Sequence, residues 1–469
     1  MSYFDVSREE ITEGSIPKAI LLIATPLFAQ NLVLTANQIV DLFWLGQFNA
    51  LAVAAVGLAS PLVWLLIGIC IDVPFAGTRI LFAQRYGSED EMGAKRVAFN
   101  GLLVAVALGL LLGQPVRFLA GAAAPLLAEL QPQSGGTAVA EMATAYIQIV
   151  ATWIFLAGLG DVAEGCLLAR GNSRATLVIN VLVVVANLTV DPLLIFGVGP
   201  LPQLGIRGAA YATVASYLAG FVVAGVLAVR DGDVYSLATA KPRWNELREI
   251  LDIGSPKVVS STVGNAVSMA VFFVVFTVGG AAGLTAYTVG TRVSAVALLP
   301  VGAVGSAVST VTGQNIGATE ATRAKAAVYS GLKISVAGML LLGGVQFLAA
   351  STVTKLFVPT IGERELALSV TFVELLALSY PASGVLKVVS SGFNAARRTR
   401  TSMMFRMANK LVLRLPLAVI LGVMLSYETV GVFWARVGSS VTIAALFLTY
   451  ILYEMSQGMY TSAVKKHAG

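Results

Sequence analysis

Histidine and cysteine are scarce in this chain of 469 residues, which has one histidine and two cysteines. The histidine, His467, lies at the C-terminal end, so histidine-based catalysis and histidine-rich metal sites are excluded. Cys70 and Cys166 both fall in apolar stretches and form neither a disulfide framework nor a C-x-x-C pair. We expect both cysteines to be packing residues.

Charged residues are also few, at 12% of the chain against roughly 25% in an ordinary soluble domain. Hydrophobic residues make up 57%, and many of their runs reach the roughly 20 residues that a helix needs to cross a bilayer. The net charge of +6 indicates basic cytoplasmic loops and gives no reason to expect a nucleic-acid partner. The acidic start of the chain predicts no cleaved signal peptide. The sequence therefore predicts an all-α integral membrane protein.

Apolar blocks separated by polar breaks predict twelve transmembrane helices. They span residues 16–45, 52–82, 93–120, 140–169, 174–198, 206–229, 246–278, 284–312, 323–349, 366–394, 401–425 and 430–458. Loops rich in lysine and arginine alternate with loops that hold few. By the positive-inside rule, the chain is predicted to be a multi-pass protein of the cytoplasmic (inner) membrane, with both termini in the cytoplasm.

An internal repeat divides the chain into two halves. Residues 83–102 align without gaps to residues 313–332 at an offset of 230, and Pro26 matches Pro256 at the same offset. The pattern predicts two six-helix bundles, related by an axis along the membrane normal, around a central cleft. The predicted divisions are a surface segment 1–15, a first lobe 16–230, a cytoplasmic linker 231–245, a second lobe 246–460 and a cytoplasmic tail 461–469.

Carboxylates inside the predicted helices are concentrated in the first half. They are Asp41, Asp72, Asp161, Glu164 and Asp191, whereas the second half has one clear case, Glu374. An ionisable group in a membrane helix is costly and marks ion or substrate pathways. We therefore expect the coupling chemistry of a transport cycle in the first half.

Three polar residues of helix 5, Asn180, Asn187 and Asp191, are spaced seven and four apart and so share one face. Asn37 and Asp41 repeat the spacing of four on helix 1, and helix 6 adds Thr213. Two carboxyl groups brought together in an apolar pocket favour holding a proton between them. Oxygen ligands also suit Na⁺, so both ions are open. The alternative for the amides and Thr213 is that they only join helices.

Several motifs together resemble the MATE (multidrug and toxic compound extrusion) transporters, in particular the prokaryotic DinF-like branch. They are the loop at Gln84–Gly87 with its mate at 313–318, the loop 171–174, the run 187–197 and the run 205–213. The resemblance spans nearly the whole chain. It implies an ion site at Asp41, Asn187, Asp191 and Thr213, with position 164 where the family often has an amide.

Two further features bear on how the chain would work. Pro26 lies midway along helix 1, where a kink would move Asp41, so we expect a gating role for it. On helix 11, a basic stripe of Arg406, Lys410 and Arg414 replaces the acidic and amide stripe of helix 5. This stripe would favour zwitterionic or anionic amphiphiles, some of them lipid-linked. The possible substrate-cavity residues are Asn37, Glu374, Lys410, Arg414 and Arg292.

The function predicted from these features is export of amphiphilic organic compounds in exchange for H⁺ or Na⁺, by alternating access. The expected partners are small, cationic organic substrates and membrane lipid; we expect a monomer and no cofactor. The alternative is a flippase for lipid or lipid-linked saccharide. An enzyme is disfavoured because the sequence has no H-E-x-x-H, G-x-S-x-G or P-loop motif. A channel is disfavoured because it would be expected to have symmetric rings of charge, whereas the membrane carboxylates of this chain lie mainly in the first half.

Overall fold

The computed structural model describes residues 6–129, 136–230, 241–357 and 362–468. Within these ranges the secondary structure is helical. The α-helices are α1 Arg8–Thr12, α2 Ile16–Phe48, α3 Ala50–Ile67, α4 Val73–Gly87, α5 Glu91–Glu129, α6 Gly136–Ala169, α7 Ser173–Phe196, α8 Ile206–Arg230, α9 Trp244–Ala297, α10 Leu299–Gly317, α11 Ala321–Leu348, α12 Ala350–Phe357, α13 Glu363–Ala395, α14 Thr399–Met407, α15 Leu415–Val419, α16 Glu428–Ser456 and α17 Met459–Ala468. Three π-helical turns, Gly68–Asp72, Ala408–Arg414 and Ile420–Met424, join neighbouring α-helices.

The helices account for the predicted membrane crossings. Among the described residues, eleven spans are long and apolar enough to cross a bilayer. A twelfth is made by Ala282–Ala297 and Leu299–Gly317, two helices bent by 42° at their junction. Helix α9 contains the crossing Trp244–Gly280 and the first part of the twelfth crossing, and it kinks between them at Gly280, whose positive φ of 58° is one that glycine adopts readily. The predicted all-α membrane fold with twelve spans is therefore confirmed.

The repeat is visible in the hydrogen bonds of two turns. After α4, Ser88 N donates to Gln84 O at 3.1 Å, and after α10, Ala318 N donates to Gln314 O at 2.8 Å. The next residue in each turn has a left-handed backbone, with φ of 61° at Glu89 and 63° at Thr319. Equivalent positions 230 residues apart thus end the second helix of each half in the same way.

The described helices form two compact units. The first unit contains the residues up to Arg8 together with Thr25–Val258, and the second contains Glu9–Ala24 together with Val259–Gly469. Two continuous helices, α2 and α9, therefore each contribute to both units. The division falls next to Pro26 in α2 and two residues after Pro256 in α9. The predicted linker 231–245 lies outside the described residues up to 240, and α9 already begins at Trp244.

Close packing explains why the start of α9 belongs to the first unit. A Cβ at Gly77 of α4 would come within 2.2 Å of the Ile250 carbonyl oxygen, and one at Gly254 within 2.2 Å of the Val73 carbonyl oxygen. Small residues that let two backbones approach are typical of helix contacts in membranes. Glu246 Oε2 also accepts a hydrogen bond from Asn100 Nδ2 at 2.7 Å.

The second unit has an aromatic core. The rings of Phe372 and Phe433 stack at 4.1 Å between centroids, and Tyr287 stacks on Phe372 at 5.1 Å. In the same unit, the N-terminal segment is fixed by two side chains, because Asn315 Nδ2 donates to Ile11 O at 3.2 Å and Arg323 Nη2 donates to Gly14 O at 2.7 Å.

Candidate functional site: an acidic and a basic cavity

Helices α2 and α7 bring the predicted polar residues of the first half together. Asn37 Nδ2 donates to Asp41 Oδ2 at 3.2 Å, one turn along α2, and to Asn187 Oδ1 of α7 at 3.0 Å. The two amides therefore connect the polar faces that were predicted from the spacing of four. Asp191 is one further turn along α7 from Asn187, and its side chain is 3% exposed.

The carboxyl groups of Asp41 and Asp191 lie close enough to share a hydrogen bond. A carboxylate only accepts hydrogen bonds, so a bond between two carboxyl groups requires one shared proton. Two oxygens beside this pair, Asp41 Oδ1 and Asn37 Oδ1, are buried and have no hydrogen-bond partner within the described ranges. The arrangement can hold a proton between the acids, and its free oxygens can also serve a hard cation.

Glu164 of α6 forms a second polar cluster. Its Oε1 accepts from Gln30 Nε2 at 3.0 Å, and its Oε2 accepts from Asn180 Nδ2 at 2.9 Å. Both oxygens act as acceptors, which is how an ionised carboxylate bonds. Arg79 is near enough to attract Glu164 electrostatically. The structure thus separates Glu164 and Asn180 from the Asp41–Asp191 pair.

A cavity of about 370 Å³, here called the acidic cavity, contacts both clusters. Four carboxylic acids line it, namely Asp41, Asp72, Asp161 and Glu164, and no lysine or arginine is among its described lining residues. Asn37, Asn180, Asn187 and Thr213 line it as well. The structure therefore places the side chains of the predicted ion-coupling residues at or beside a single cavity.

Several residues of this cavity were missed by the sequence analysis. Tyr146 of α6 lies next to Thr213, and Tyr217 of α8 lines the cavity wall. Gln30, which donates a hydrogen bond to Glu164, could have been found from the sequence, because it lies seven residues before Asn37 on the same face of α2. The partner of Asp72 could not, since Lys257, which pairs with it at 2.5 Å, is 185 residues away in sequence.

The second unit contains a cavity of about 400 Å³ with the opposite charge, here called the basic cavity. Its cationic lining residues are Lys387, Arg406, Arg414 and Arg436. Arg414 Nη2 donates to Ser440 Oγ at 3.3 Å, and Arg436 Nη1 donates to the Tyr287 hydroxyl at 3.2 Å. No aspartate or glutamate lines this cavity in the part of the chain that the structure describes.

The structure divides the predicted basic stripe. Arg406 and Arg414 line the basic cavity, whereas Lys410 does not; its Nζ lies only 2.1 Å from where a Cβ on Gly264 would be. The π-helical turn Ala408–Arg414 explains the difference, because its wider turn breaks the 3.6-residue period that defines a stripe. Arg292 is exposed, Glu374 is half-buried, and neither lines either cavity.

The two cavities occupy equivalent places in the two halves. Pairs of positions 226 residues apart line the acidic and the basic cavity respectively: Ala157 and Ser383, Asp161 and Lys387, Glu164 and Ser390, Asn180 and Arg406, and Val183 and Asn409. Gly171 and Arg397, both with positive φ, show the same offset in the turn that follows α6 and α13. The two halves therefore contain equivalent pockets, and these pockets have opposite charge.

Comparison with known proteins agrees with this two-fold construction. The family model MatE matches the chain twice, over residues 26–193 and 256–420, which together are well over half of its length. The chain belongs to the MatE family. The two matches begin at Pro26 and Pro256, the pair of prolines related by the repeat, so each half of the chain is one MatE unit.

The relatives found by comparison are named as transporters or as multidrug resistance proteins, and this MatE protein is a membrane transporter and not an enzyme. An FAD transporter of Shewanella oneidensis is 25% identical over 426 residues, which cover 88% of this chain and 89% of the relative. The probable multidrug resistance protein NorM of Pseudomonas aeruginosa is 27% identical over 449 residues, with 92% and 88% covered.

Solved structures show the same fold. A multidrug resistance MATE family transporter of the MOP superfamily, in an outward-facing conformation, aligns with a TM-score of 0.84 at 23% identity. The alignment covers 97% of this chain and 98% of the other. The predicted resemblance to MATE transporters is confirmed, and assignment to the DinF-like branch stays a prediction.

Proposed function

We propose that this MatE protein exports small amphiphilic organic compounds in exchange for H⁺, by alternating access, with the ion held between Asp41 and Asp191. The observation that carries the proposal is the close approach of the two buried carboxyl groups, because two neighbouring acids repel when both are ionised and favour holding one proton between them. Na⁺ is the alternative ion, supported by the unpartnered Asp41 Oδ1 and Asn37 Oδ1.

The carboxylic acids that line the acidic cavity support the proposal that its substrates are cationic. Four acids line about 370 Å³ that also has apolar walls, and a volume of this order accommodates a drug-sized molecule. A cationic compound would neutralise the same carboxylates that an ion neutralises. Ion and substrate would therefore compete, which is what an exchange cycle requires. Glu164, already held by two amides, would bind substrate charge while the aspartate pair handles the ion.

Two parts of the proposal concern placement and movement. Basic residues flank the turns after α4 and α10, namely Arg85, Lys95, Arg96, Arg323 and Lys325, and they favour an inner-membrane protein with both termini in the cytoplasm. Pro26 is proposed as a hinge, because a proline inside a helix frees a carbonyl one turn earlier and permits bending. The division of α2 between the two compact units falls next to it.

Efflux from proteoliposomes tests the proposal. Liposomes with purified protein are loaded with ethidium, and a pH gradient or a Na⁺ gradient is imposed separately on wild type, Asp41→Asn and Asp191→Asn. The expected result is efflux driven by the pH gradient in wild type and lost in both variants. Glu374→Gln, which removes a membrane carboxyl group outside the cavity, is the matched control and should keep coupling.

Two results would change the assignment. If only the Na⁺ gradient drives efflux and both aspartates are needed, the coupling ion is Na⁺ at the same site. If efflux ignores both gradients, or survives both substitutions in variants that remain monodisperse on size exclusion, the aspartate pair is not a coupling site and the proposal fails.

A further inference from the structure

We propose that the basic cavity is a binding site for phosphate esters, with the phosphate held by Arg406, Arg414 and Arg436. Four cationic side chains line the cavity, and its lining within the described ranges includes no acid. Like charges gathered inside a membrane helix bundle are costly, and a bound anion offsets that cost. The cavity therefore selects for negative charge, and it does so whether or not the ion coupling proposed above is correct.

The guanidinium groups have donors to spare. Arg406 Nε is buried and has no hydrogen-bond partner in the described part of the chain. Arg414 donates to Ser439 Oγ at 3.5 Å and to Ser440 Oγ at 3.3 Å. Both distances are long for bonds from a charged donor, which are usually about 2.7–2.9 Å. Arginines that are only weakly bonded to the protein are ready to bond a ligand.

The number and kind of donors favour phosphate over carboxylate. A phosphate monoester carries a charge of about −1.5 to −2 and three strong acceptor oxygens. Several arginine forks can bond such a group in pairs of parallel hydrogen bonds. Serine hydroxyls add neutral donors around the same space, contributed by Ser294, Ser379, Ser383, Ser390, Ser391 and Ser440. A single carboxylate would leave most of these groups unused.

The rest of the lining is suited to an organic body. Leu298, Val301, Leu376 and Leu386 form an apolar part of the cavity, whose volume is about 400 Å³. Binding sites for small molecules typically combine such apolar walls with a few polar groups. The ligand class is therefore an amphiphilic phosphate ester. Its source is either a membrane lipid with a phosphate headgroup or a soluble organic phosphate.

Calorimetric titration of the full-length protein in phosphatidylcholine nanodiscs tests the ligand class. The probes are phenyl phosphate, inorganic phosphate and benzyltrimethylammonium, which is a cation of similar size to phenyl phosphate. Phenyl phosphate should bind, and the cation should not compete with it. Arg406→Gln and Arg414→Gln should each weaken its binding at least about tenfold, whereas Arg292→Gln, which removes an exposed arginine outside the cavity, should change it less than about twofold.

A second variant keeps the test decisive if an arginine substitution impairs folding. Ser390→Glu places a carboxylate in the basic cavity at the position equivalent to Glu164. The built-in anion should compete with the ligand and lower phenyl phosphate binding at least about tenfold, while the protein stays monodisperse. The proposal is wrong if phenyl phosphate does not bind to the wild type. It is also wrong if Arg406→Gln, Arg414→Gln and Ser390→Glu bind phenyl phosphate with the same affinity as the wild type and the control Arg292→Gln.

Competition identifies the source of the phosphate. If phosphatidic acid in the nanodisc displaces phenyl phosphate and adenosine 5′-monophosphate does not, the site takes a lipid headgroup. If the nucleotide competes and the lipid does not, the site takes a soluble organic phosphate. Binding of inorganic phosphate alone, unaffected by Arg414→Gln, would show an adventitious ion only and would overturn the proposal.

Discussion

The acidic and basic cavities are copies of one pocket that differ in the sign of their charge. At equivalent positions, Asp161 is replaced by Lys387 and Asn180 by Arg406, while the helices around them keep the same order and the same turns. A repeat fixes where a pocket forms, because pocket shape follows from helix packing. It does not fix what the pocket binds, because a few side chains decide the charge. In this transporter the two halves share the same helix packing, but their cavities have side chains of opposite charge.

The largest effect is expected when the charge at one position of the acidic cavity is changed to the charge found at the equivalent position of the basic cavity. Asp161→Lys introduces into the acidic cavity the charge that Lys387 gives the basic one. A lysine there would pair with Glu164 and repel both the coupling ion and a cationic substrate. Unit charges about 4 Å apart repel by about 4 kcal/mol near a protein surface, so gradient-driven ethidium efflux should fall at least about 100-fold.

The control for this exchange is Asp161→Asn, which removes the charge without reversing it and should reduce efflux much less. Efflux rates are measured in proteoliposomes with equal amounts of incorporated protein. If Asp161→Lys retains half of the wild-type rate, the charge of the acidic cavity is not what selects its ligands.

The two prolines related by the repeat, Pro26 and Pro256, lie in the two helices that contribute to both units. Pro26→Ala restores a backbone hydrogen bond to the turn before it and should stiffen α2. If Pro26 is a hinge, ethidium efflux should slow by about three- to tenfold with unchanged ethidium affinity, since bending and not binding is affected. Pro256→Ala should act in the same direction, because α9 also contributes residues to both units and the division falls two residues after its proline.

Pro381→Ala is the matched control for the hinge. Pro381 also lies inside a helix, α13, but that helix belongs wholly to the second unit. Its substitution should leave the efflux rate within about twofold of wild type. Equal slowing by all three substitutions would mean that the proline effect is general and not tied to the two helices shared by the units.

The smallest effect is expected at the two equivalent turns. Thr319 and Glu89 both have positive φ, and a left-handed backbone is least favourable for a β-branched residue. Thr319→Gly should therefore stabilise the protein by about 1 kcal/mol, observed as a higher thermal unfolding midpoint in detergent. Glu89→Gly should gain less, because it also removes the ion pair with Arg8 at 2.8 Å. A lower midpoint for Thr319→Gly would contradict this reading of the turn.

Much of the fold could be predicted from the sequence, since its signals are local. Apolar runs of bilayer length gave all twelve spans, and the offset of 230 found the two halves that the turns at Glu89 and Thr319 later showed in detail. Asn37, Asp41, Asn187 and Asp191 could be brought together because two helices with the same spacing present one polar face each.

Other features depend on distances that no local pattern contains. Arg436 was missed as a cavity residue because it lies on α16, away from the stripe of helix 11. Lys410 was expected with that stripe, but the period of an α-helix does not apply across a π-helical turn. The equivalence of Asp161 and Lys387 was also missed, since it emerges only when both cavities are compared position by position.

Measuring efflux and phenyl phosphate binding in the same two variants shows whether the two cavities have separate ligands. Asp41→Asn should abolish ethidium efflux driven by a pH gradient and change phenyl phosphate affinity less than about twofold. Arg414→Gln should weaken phenyl phosphate binding at least about tenfold and keep gradient-driven efflux. Loss of both activities in each variant would contradict the account, because it would mean that the two cavities are parts of one site and not two pockets with separate ligands.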